Sequence, residues 1–251
     1  MMRKYYTRII LLLCLLFATN AYAVSLVIRM SGGDSSTCDT SNIVFWWRCE
    51  TTTLDATYDY SAASGTPTIN GSLVVSEAAA KYGTYGIDFD AAWEHLYYAT
   101  PSATLDDDFR WGAWVRITTW LNGFLLFQIY GDSSNNCRLI LTGDDELTLY
   151  WYDTGAERTT WTTTDANLTT GTWYWIEAAA KPSTNYREIW VDGVSKGSSS
   201  GAINTFATAV ATIYMGDLIG SSVDVHMDNI IISTDSTDSF TDCKDELEWP
   251  G

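Results

Sequence analysis

Residues 171–181 read G-T-W-Y-W-I-E-A-A-A-K, and residues 187–193 read R-E-I-W-V-D-G. The pattern predicts two strands joined by a short polar turn, with Asp192-Gly193 marking the next chain reversal. A third run, V-H-M-D-N-I-I-I-S at residues 225–233, also has strand composition. Strands of this kind, joined by tight turns, are typical of antiparallel sheets. We therefore predict an all-β protein.

Working outward, further runs rich in Val, Ile, Thr, Tyr and Trp alternate with clusters of Gly, Ser, Asp and Asn. They predict strands at 43–49, 86–90, 94–99, 109–118, 124–130, 136–142, 146–152, 157–162, 172–180, 186–192, 209–215 and 223–233. In the fourth run Phe109, Trp111, Ala113 and Val115 share one face. Helical periodicity is nearly absent. The prediction is a two-sheet antiparallel jelly-roll sandwich.

The N-terminus has the features of a targeting segment. Arg3, Lys4 and Arg8 precede an apolar run from Ile9 to Phe17, and Ala21-Tyr22-Ala23 forms an A-x-A cleavage site. This pattern predicts a signal peptide at residues 1–23, one sandwich domain at 24–240 and an acidic tail at 241–251. The predicted location is secreted, either extracellular or at the cell surface.

The chain is strongly acidic, with a formal net charge of −17 over 251 residues. Removing residues 1–23 takes away three basic residues and no acidic residue, which leaves a charge of −20. Such a surface repels nucleic acid and anionic lipid, so these partners are excluded. It suits an extracellular protein, or one that holds cations.

Four cysteines follow the predicted signal peptide: Cys38, Cys49, Cys137 and Cys243. An even number in an exported chain indicates two disulfides, for which three pairings exist. We favour Cys38–Cys49 across a short polar loop, and Cys137–Cys243 as a link between the tail and the body. Free buried thiols are the alternative. Clustered spacing of the zinc-binding type is absent.

Six segments together resemble the laminin-G-like branch of the concanavalin A-like lectin/glucanase superfamily. In chain order, the patterns of that family are an aromatic first strand, "G-x-x-G-x-A-L-x-F-D", "F-T-x-x-A-W-V-K", "G-x-W-x-H-V-A", "L-Y-V-D-G" and "I-D-D-V-R-I-Y". Their counterparts here are I-V-F-W-W-R-C-E at 43–50, K-Y-G-T-Y-G-I-D-F-D at 81–90, F-R-W-G-A-W-V-R at 109–116, G-T-W-Y-W-I-E-A at 171–178, E-I-W-V-D-G at 188–193 and M-D-N-I-I-I-S at 227–233. Their order spans nearly the whole predicted mature chain.

The resemblance implies a sandwich that hosts lectins, glycosidases, lyases and adhesion modules. The retaining glucanases of this fold carry E-x-D-x-E on one strand, and the chain has no such motif. A lyase would need a Tyr or His base, but His95 and His226 are isolated in strand-like sequence. In related laminin-G-like domains Ca²⁺ sits at the sandwich rim, which by similarity indicates Asp59, Asp228 and Asn229 as its ligands.

The aromatic residues, which include 12 Trp and 15 Tyr, are further candidates for binding a ligand. Sugar rings present apolar faces that stack on Trp and Tyr, with polar neighbours fixing the hydroxyl groups. Trp151, Tyr152 and Asp153 combine ring, hydroxyl and carboxylate at a strand end, and we select them as the first ligand platform. Trp93 and Trp161 are added as further ligand-binding candidates. Packing within the sheets is the alternative for each residue.

The sequence therefore favours an exported, non-catalytic recognition module that binds carbohydrate or another extracellular ligand, with calcium as a candidate cofactor. A polysaccharide-degrading enzyme of the same fold is the alternative from a different class. A structural or adhesive subunit of the cell surface is the third reading.

Overall fold

A computed structural model describes part of the chain, all of it within one unit that spans residues 36–251. The described residues are 42–49, 60–61, 67–99, 105, 108–120, 123–143, 145–153, 156–163, 165–216, 224–235, 240 and 243–244. For residues 60, 61, 99 and 156–161 the backbone alone is described. The predicted signal peptide lies outside these residues, and its boundary at residue 24 stays a prediction.

Within the described residues the chain forms sixteen strands and two short 3₁₀ turns. The strands are β1 Ile43–Trp47, β2 Tyr60–Ser61, β3 Thr68–Asn70, β4 Val74–Ser76, β5 Gly86–Phe89, β6 His95–Ala99, β7 Phe109–Thr119, β8 Phe124–Asp132, β9 Asn135–Gly143, β10 Glu146–Asp153, β11 Ala156–Thr162, β12 Trp173–Lys181, β13 Tyr186–Val191, β14 Val194–Ser199, β15 Thr212–Gly216 and β16 Asp224–Ser233. The 3₁₀ turns are Glu77–Ala79 and Pro182–Thr184.

The described strands form two antiparallel sheets. The nine-stranded sheet has the order β14-β13-β12-β7-β16-β1-β2, with β5 also paired to β16 and β4 paired to β5. The seven-stranded sheet has the order β11-β10-β9-β8-β15-β6-β3. The predicted all-β sandwich is confirmed.

All twelve predicted strands are present, with ends that differ by a few residues. The sequence analysis missed four short strands: β2, β3, β4 and β14. The pentad E-A-A-A-K occurs twice, at 77–81 and 177–181. The first copy forms a 3₁₀ turn, and the second lies inside β12. Because β12 pairs with a strand on each side, the sheet overrides the local helix propensity there.

The hydrophobic core lies between the sheets and follows the two-residue period of the strands. Phe109, Trp111, Ala113 and Val115 all belong to it, as the alternation in β7 predicts. Trp111 stacks on Phe127 of the seven-stranded sheet, with ring centroids 4.9 Å apart. Full burial of such a side chain stabilises the fold by about 1.5–3 kcal/mol.

A second apolar cluster covers part of the outer face of the nine-stranded sheet. Phe240 and Cys243, from the C-terminal segment, pack there against Trp114 and Trp175. Beneath them the Glu177 carboxylate accepts a hydrogen bond from Trp175 Nε1 at 2.5 Å and forms a buried ion pair with Arg110. Phe240 and Cys243 therefore cover this region of the nine-stranded sheet.

The predicted Cys137–Cys243 disulfide is wrong. Cys137 lies in β9 and points into the core between the sheets, where it is a free, buried thiol. Cys243 lies on the outer face of the nine-stranded sheet, so one sheet separates the two side chains. The favoured Cys38–Cys49 pairing is also wrong, because buried Cys49 is not part of a disulfide, whereas Cys243 is disulfide-bonded. Cys38 lies outside the described residues. No disulfide joins two of the three cysteines that the structure describes.

The part of the chain that the structure describes contains no helix long and apolar enough to span a membrane.

Candidate functional site

The outer face of the seven-stranded sheet carries a group of tyrosine and polar side chains. On each contributing strand, alternate residues point outward while their neighbours enter the core. Inward neighbours include Leu96, Ile129 and Leu149, all fully buried. We call the outward set the tyrosine face: Tyr97, Gln128, Tyr130, Asn136, Arg138, Tyr150, Tyr152 and Tyr214.

Strand register places five of these residues in one line across the sheet. Tyr97 pairs with Tyr214, which pairs with Gln128. Gln128 pairs with Arg138, and Arg138 with Tyr150. With neighbouring strands about 4.8 Å apart, the line is about 19 Å long. It combines aromatic rings at both ends with amide and guanidinium groups in the middle.

The tyrosine rings pack against one another while remaining partly accessible. The Tyr97 and Tyr214 ring centroids are 5.8 Å apart, and those of Tyr130 and Tyr214 are 5.9 Å apart in an edge-on arrangement. Each of these side chains is half-buried. Contact between rings restricts their rotamers, so the apolar surface that they present to solvent is held in place before any ligand arrives.

Arg138 is fixed in the middle of the tyrosine face. Its guanidinium carbon lies 4.8 Å from the Tyr150 ring centroid and 5.1 Å from that of Tyr152. Its Nη2 also donates a hydrogen bond of 2.9 Å to the Tyr152 hydroxyl. A planar guanidinium held in this way can offer its remaining Nη protons to an oxygen-rich ligand without further ordering.

The amide groups of the tyrosine face are also oriented. Gln128 Nε2 donates to Asn136 Oδ1 at 3.2 Å, and Asn136 Nδ2 donates to the backbone carbonyls of Asp132 and Ser133, each at 3.3 Å. The turn between β8 and β9 therefore fixes these side chains. Oriented polar groups beside apolar rings are the usual composition of a small-molecule site.

The predicted ligand platform is only partly on this face. Trp151 is fully buried, stacks on Phe206 with ring centroids 4.5 Å apart, and donates from Nε1 to the Asn204 carbonyl at 3.1 Å. Asp153 is also buried, and it accepts from the Asn204 backbone N–H at 2.9 Å. Because strand neighbours point to opposite faces, Tyr152 is the one member of the predicted triplet on the tyrosine face. We correct the roles of Trp151 and Asp153 to structural ones.

The two other predicted aromatic ligands lie elsewhere or are not described. Trp93 is 58% exposed in the turn between β5 and β6, with a positive φ of 68°. This turn is held by buried Glu94, whose carboxylate accepts from the backbone N–H groups of Asp90 and Ala91, each at 2.9 Å. Trp161 lies in β11, where the structure describes the backbone alone.

The residues predicted to bind calcium do not present a vacant set of oxygens. Asp228 is buried and accepts from the backbone N–H groups of Lys81 and Tyr82, at 2.8 and 2.9 Å, and from that of Asn229 at 2.7 Å. Asn229 Oδ1 accepts a hydrogen bond from Trp46 Nε1, and Asn229 Nδ2 donates one to the Lys244 carbonyl at 2.5 Å. Both side chains hold chain segments on the nine-stranded sheet. Asp59 lies outside the described residues.

A different group of ligand-type side chains lies on the outer face of the nine-stranded sheet. Asp88, His226 and Arg116 are cross-strand neighbours on β5, β16 and β7, and Asp224 is two residues from His226 on the same face. His226 Nε2 is 3.1 Å from Asp88 Oδ1 and 3.4 Å from Asp224 Oδ1. Arg116 Nη2 contacts His226 Nδ1.

Burial dominates the titration of this group. Burial lowers the pKa of His226. The Asp88 charge acts to raise that pKa, and the Arg116 charge lowers it further. Burial also raises the pKa of Asp88. His226 acts to lower that pKa, and the nearby carboxylates of Asp90 and Asp224 raise it further. Because an arginine can only donate, His226 Nδ1 accepts from Arg116 and the proton of the neutral ring is on Nε2.

No family model matches the chain, and no curated protein matches it. Solved structures do match its fold. The binding domain of botulinum neurotoxin serotype D has a TM-score of 0.60 at 9% identity over 78% of this chain. Domain 4 of AbnA, a GH43 extracellular arabinanase from Geobacillus stearothermophilus solved with arabinotriose, has a TM-score of 0.64 at 13% identity over 80% of this chain and 96% of that domain.

The serotype D domain was also solved in complex with N-acetylneuraminic acid, and that structure has a TM-score of 0.60 at 11% identity. This chain spans about half the length of the neurotoxin binding domains, 49% in both cases. At these identities the likeness establishes the fold and leaves the ligand open. The chain therefore shares a two-sheet β-sandwich with known binding domains.

Proposed function

We propose that this protein is an exported, non-catalytic, laminin-G-like module that binds carbohydrate through its tyrosine face. The observation that carries the proposal is the line from Tyr97 through Gln128 and Arg138 to Tyr150, where fixed polar groups lie between half-buried rings. Rings of this kind can cover the apolar face of a sugar, and the amide and guanidinium groups can bind its hydroxyls.

The similar structures add support from outside the chain. The arabinanase domain, matched over 96% of its length, was solved with arabinotriose, and the serotype D domain solved with N-acetylneuraminic acid is matched over 49% of its length. The predicted signal peptide would bring the protein to the compartment where such glycans occur. Export and sugar binding are consistent with each other, and each has its own test.

A glycan array tests the binding proposal. The purified chain should bind a defined subset of glycans, and Tyr214→Ala should reduce its signal at least tenfold, because Tyr214 contacts both Tyr97 and Tyr130. Tyr186→Ala is the matched control, since Tyr186 is a half-buried tyrosine on the nine-stranded sheet. It should keep the wild-type signal.

Two results would count against the proposal. The first is a wild-type chain that binds no glycan on the array. The second is a Tyr214→Ala variant that keeps full binding while its circular dichroism spectrum matches the wild type. Export is tested separately by N-terminal sequencing of the secreted protein, which should begin at Val24.

A further inference from the structure

Two shielded carboxylate oxygens on the nine-stranded sheet share a single N–H donor, that of His226. They are Asp88 Oδ1 and Asp224 Oδ1, both shielded from solvent. The single N–H on His226 Nε2 lies 3.1 Å from Asp88 Oδ1 and 3.4 Å from Asp224 Oδ1, and it can serve only one of them, so one shielded oxygen is left without a donor. A buried anionic oxygen without a donor is costly, and a cation placed between the two would satisfy both.

We propose that Asp88, Asp224 and His226 form a binding site for a divalent transition metal of the Zn²⁺ type. The three ligand atoms lie within 4.8 Å of one another. With metal–ligand distances of about 2.0–2.2 Å, neighbouring ligand atoms of a tetrahedral site lie about 3.4 Å apart. The two distances from His226 Nε2, 3.1 and 3.4 Å, already match that spacing.

The chemistry of the ligands selects the class of metal. Two carboxylate oxygens and one imidazole nitrogen suit Zn²⁺ and similar divalent ions, whereas Ca²⁺ prefers six to eight oxygen ligands. Three protein ligands leave at least one position for water. Asp90 and Glu94 lie near enough to act on the Asp88 charge, and the whole chain has a net charge of −17, so the local field favours a cation.

Arg116 is the group that opposes metal binding. Its Nη2 donates to His226 Nδ1, which keeps the imidazole proton on Nε2, the atom that faces the carboxylates. Metal binding at Nε2 moves that proton to Nδ1, and Arg116 must then release the ring. Arg116 is only partly buried and retains the Ala78 carbonyl, 2.6 Å from Nη2, as an alternative partner. Arg116 and the metal therefore favour opposite tautomers of His226.

The test is a calorimetric titration of the chelator-treated chain with ZnCl₂. The wild type should bind one Zn²⁺, Asp224→Asn should weaken binding at least tenfold, and Arg116→Met should strengthen it about threefold or more. Asp90→Asn is the matched control: it removes the same charge from an exposed neighbour that is not a ligand, and it should change affinity less than threefold. Co²⁺ absorbance provides a second readout of an imidazole–carboxylate site.

Asp224 is half-exposed, so its variant should fold, and an unchanged melting temperature without metal confirms this. Three results would overturn the proposal. These are no saturable Zn²⁺ binding up to 1 mM by the wild type, equal affinity in the wild type and Asp224→Asn, or weaker binding by Arg116→Met. The site lies on the other sheet from the tyrosine face, so the result is independent of sugar binding.

Discussion

Trp151 and Tyr150 are strand neighbours with opposite surroundings, and replacing each by Ala tests which face of β10 is outward. Trp151→Ala removes a fully buried ring that stacks on Phe206 and Phe109, and such truncations cost about 3–5 kcal/mol. Loss of its hydrogen bond to the Asn204 carbonyl costs about 1 kcal/mol more. The sum, about 4–6 kcal/mol, is a large share of the stability of a typical domain, about 5–15 kcal/mol.

Tyr150→Ala should cost about 1 kcal/mol, since the side chain is half-exposed and contacts the Arg138 guanidinium and the Tyr152 ring. Both free energies of unfolding come from urea titrations followed by far-ultraviolet circular dichroism. Trp151→Phe keeps an aromatic ring in the core and should cost about 1–2 kcal/mol, which provides a foldable variant if Trp151→Ala does not fold. The assignment of faces is refuted if Tyr150→Ala destabilises the protein more than either Trp151 variant.

Three further predictions concern the interior and the β8–β9 turn. Glu177→Ala should lower the free energy of unfolding by about 3–5 kcal/mol in urea titrations, because it leaves buried Arg110 without its ion-pair partner. A double variant with Met at both positions should recover most of that loss. An effect below about 1 kcal/mol for Glu177→Ala would contradict the buried pair. Burial raises the pKa of the Cys137 thiol, so iodoacetamide should label Cys137 only after unfolding, and rapid labelling of the native chain in peptide mass maps would contradict its burial. Hydrogen bonds from Thr208, Asn135 and Ser134 hold the pKa of Asp132 below its ordinary 3.8; the stability that this carboxylate adds is therefore complete above that pH and is lost as the pH falls through the lowered value. The melting temperatures of the wild type and Asp132→Asn should accordingly differ at pH 7 and converge below about pH 3, and a constant difference would contradict this account.

The long strands were predictable because their residues carry the signal themselves. In β7 the apolar residues alternate over most of eleven positions, and the structure follows that phase. The missed strand β14, V-S-K-G-S-S, has the composition of a turn. It is an edge strand held by backbone pairing with β13, so its side chains give little sign of the sheet.

The direction of each face was harder to predict than the strands. Side chains alternate along a strand, so Trp151 must point away from Tyr150 and Tyr152. Which of the two faces of β10 enters the core depends on the strands that pack opposite it. The combination of ring, hydroxyl and carboxylate at residues 151–153 favoured Trp151 as part of a ligand platform, whereas its ring fills the core against Phe206. A test for outward tyrosines flanked by aliphatic neighbours, as at Tyr214 between Ile213 and Met215, would have found the tyrosine face.

The Asp88, Asp224 and His226 group depends on register between distant segments. Asp88 and His226 become neighbours only because β5 pairs antiparallel with β16, far apart in the chain. The sequence showed an isolated histidine beside Met227, and nothing local indicated its partners. Asp228 was the more conspicuous acid by family resemblance, yet its carboxylate holds the 81–82 segment.

The most direct test of the central claim is a crystal structure of the chain with the oligosaccharide that binds best on the array. Our account predicts a sugar ring within about 4 Å of Tyr214 or Tyr150, with its hydroxyl groups hydrogen-bonded to Arg138 or Gln128. A sugar bound on the nine-stranded sheet or at the Trp93 turn, with the tyrosine face empty, would contradict it.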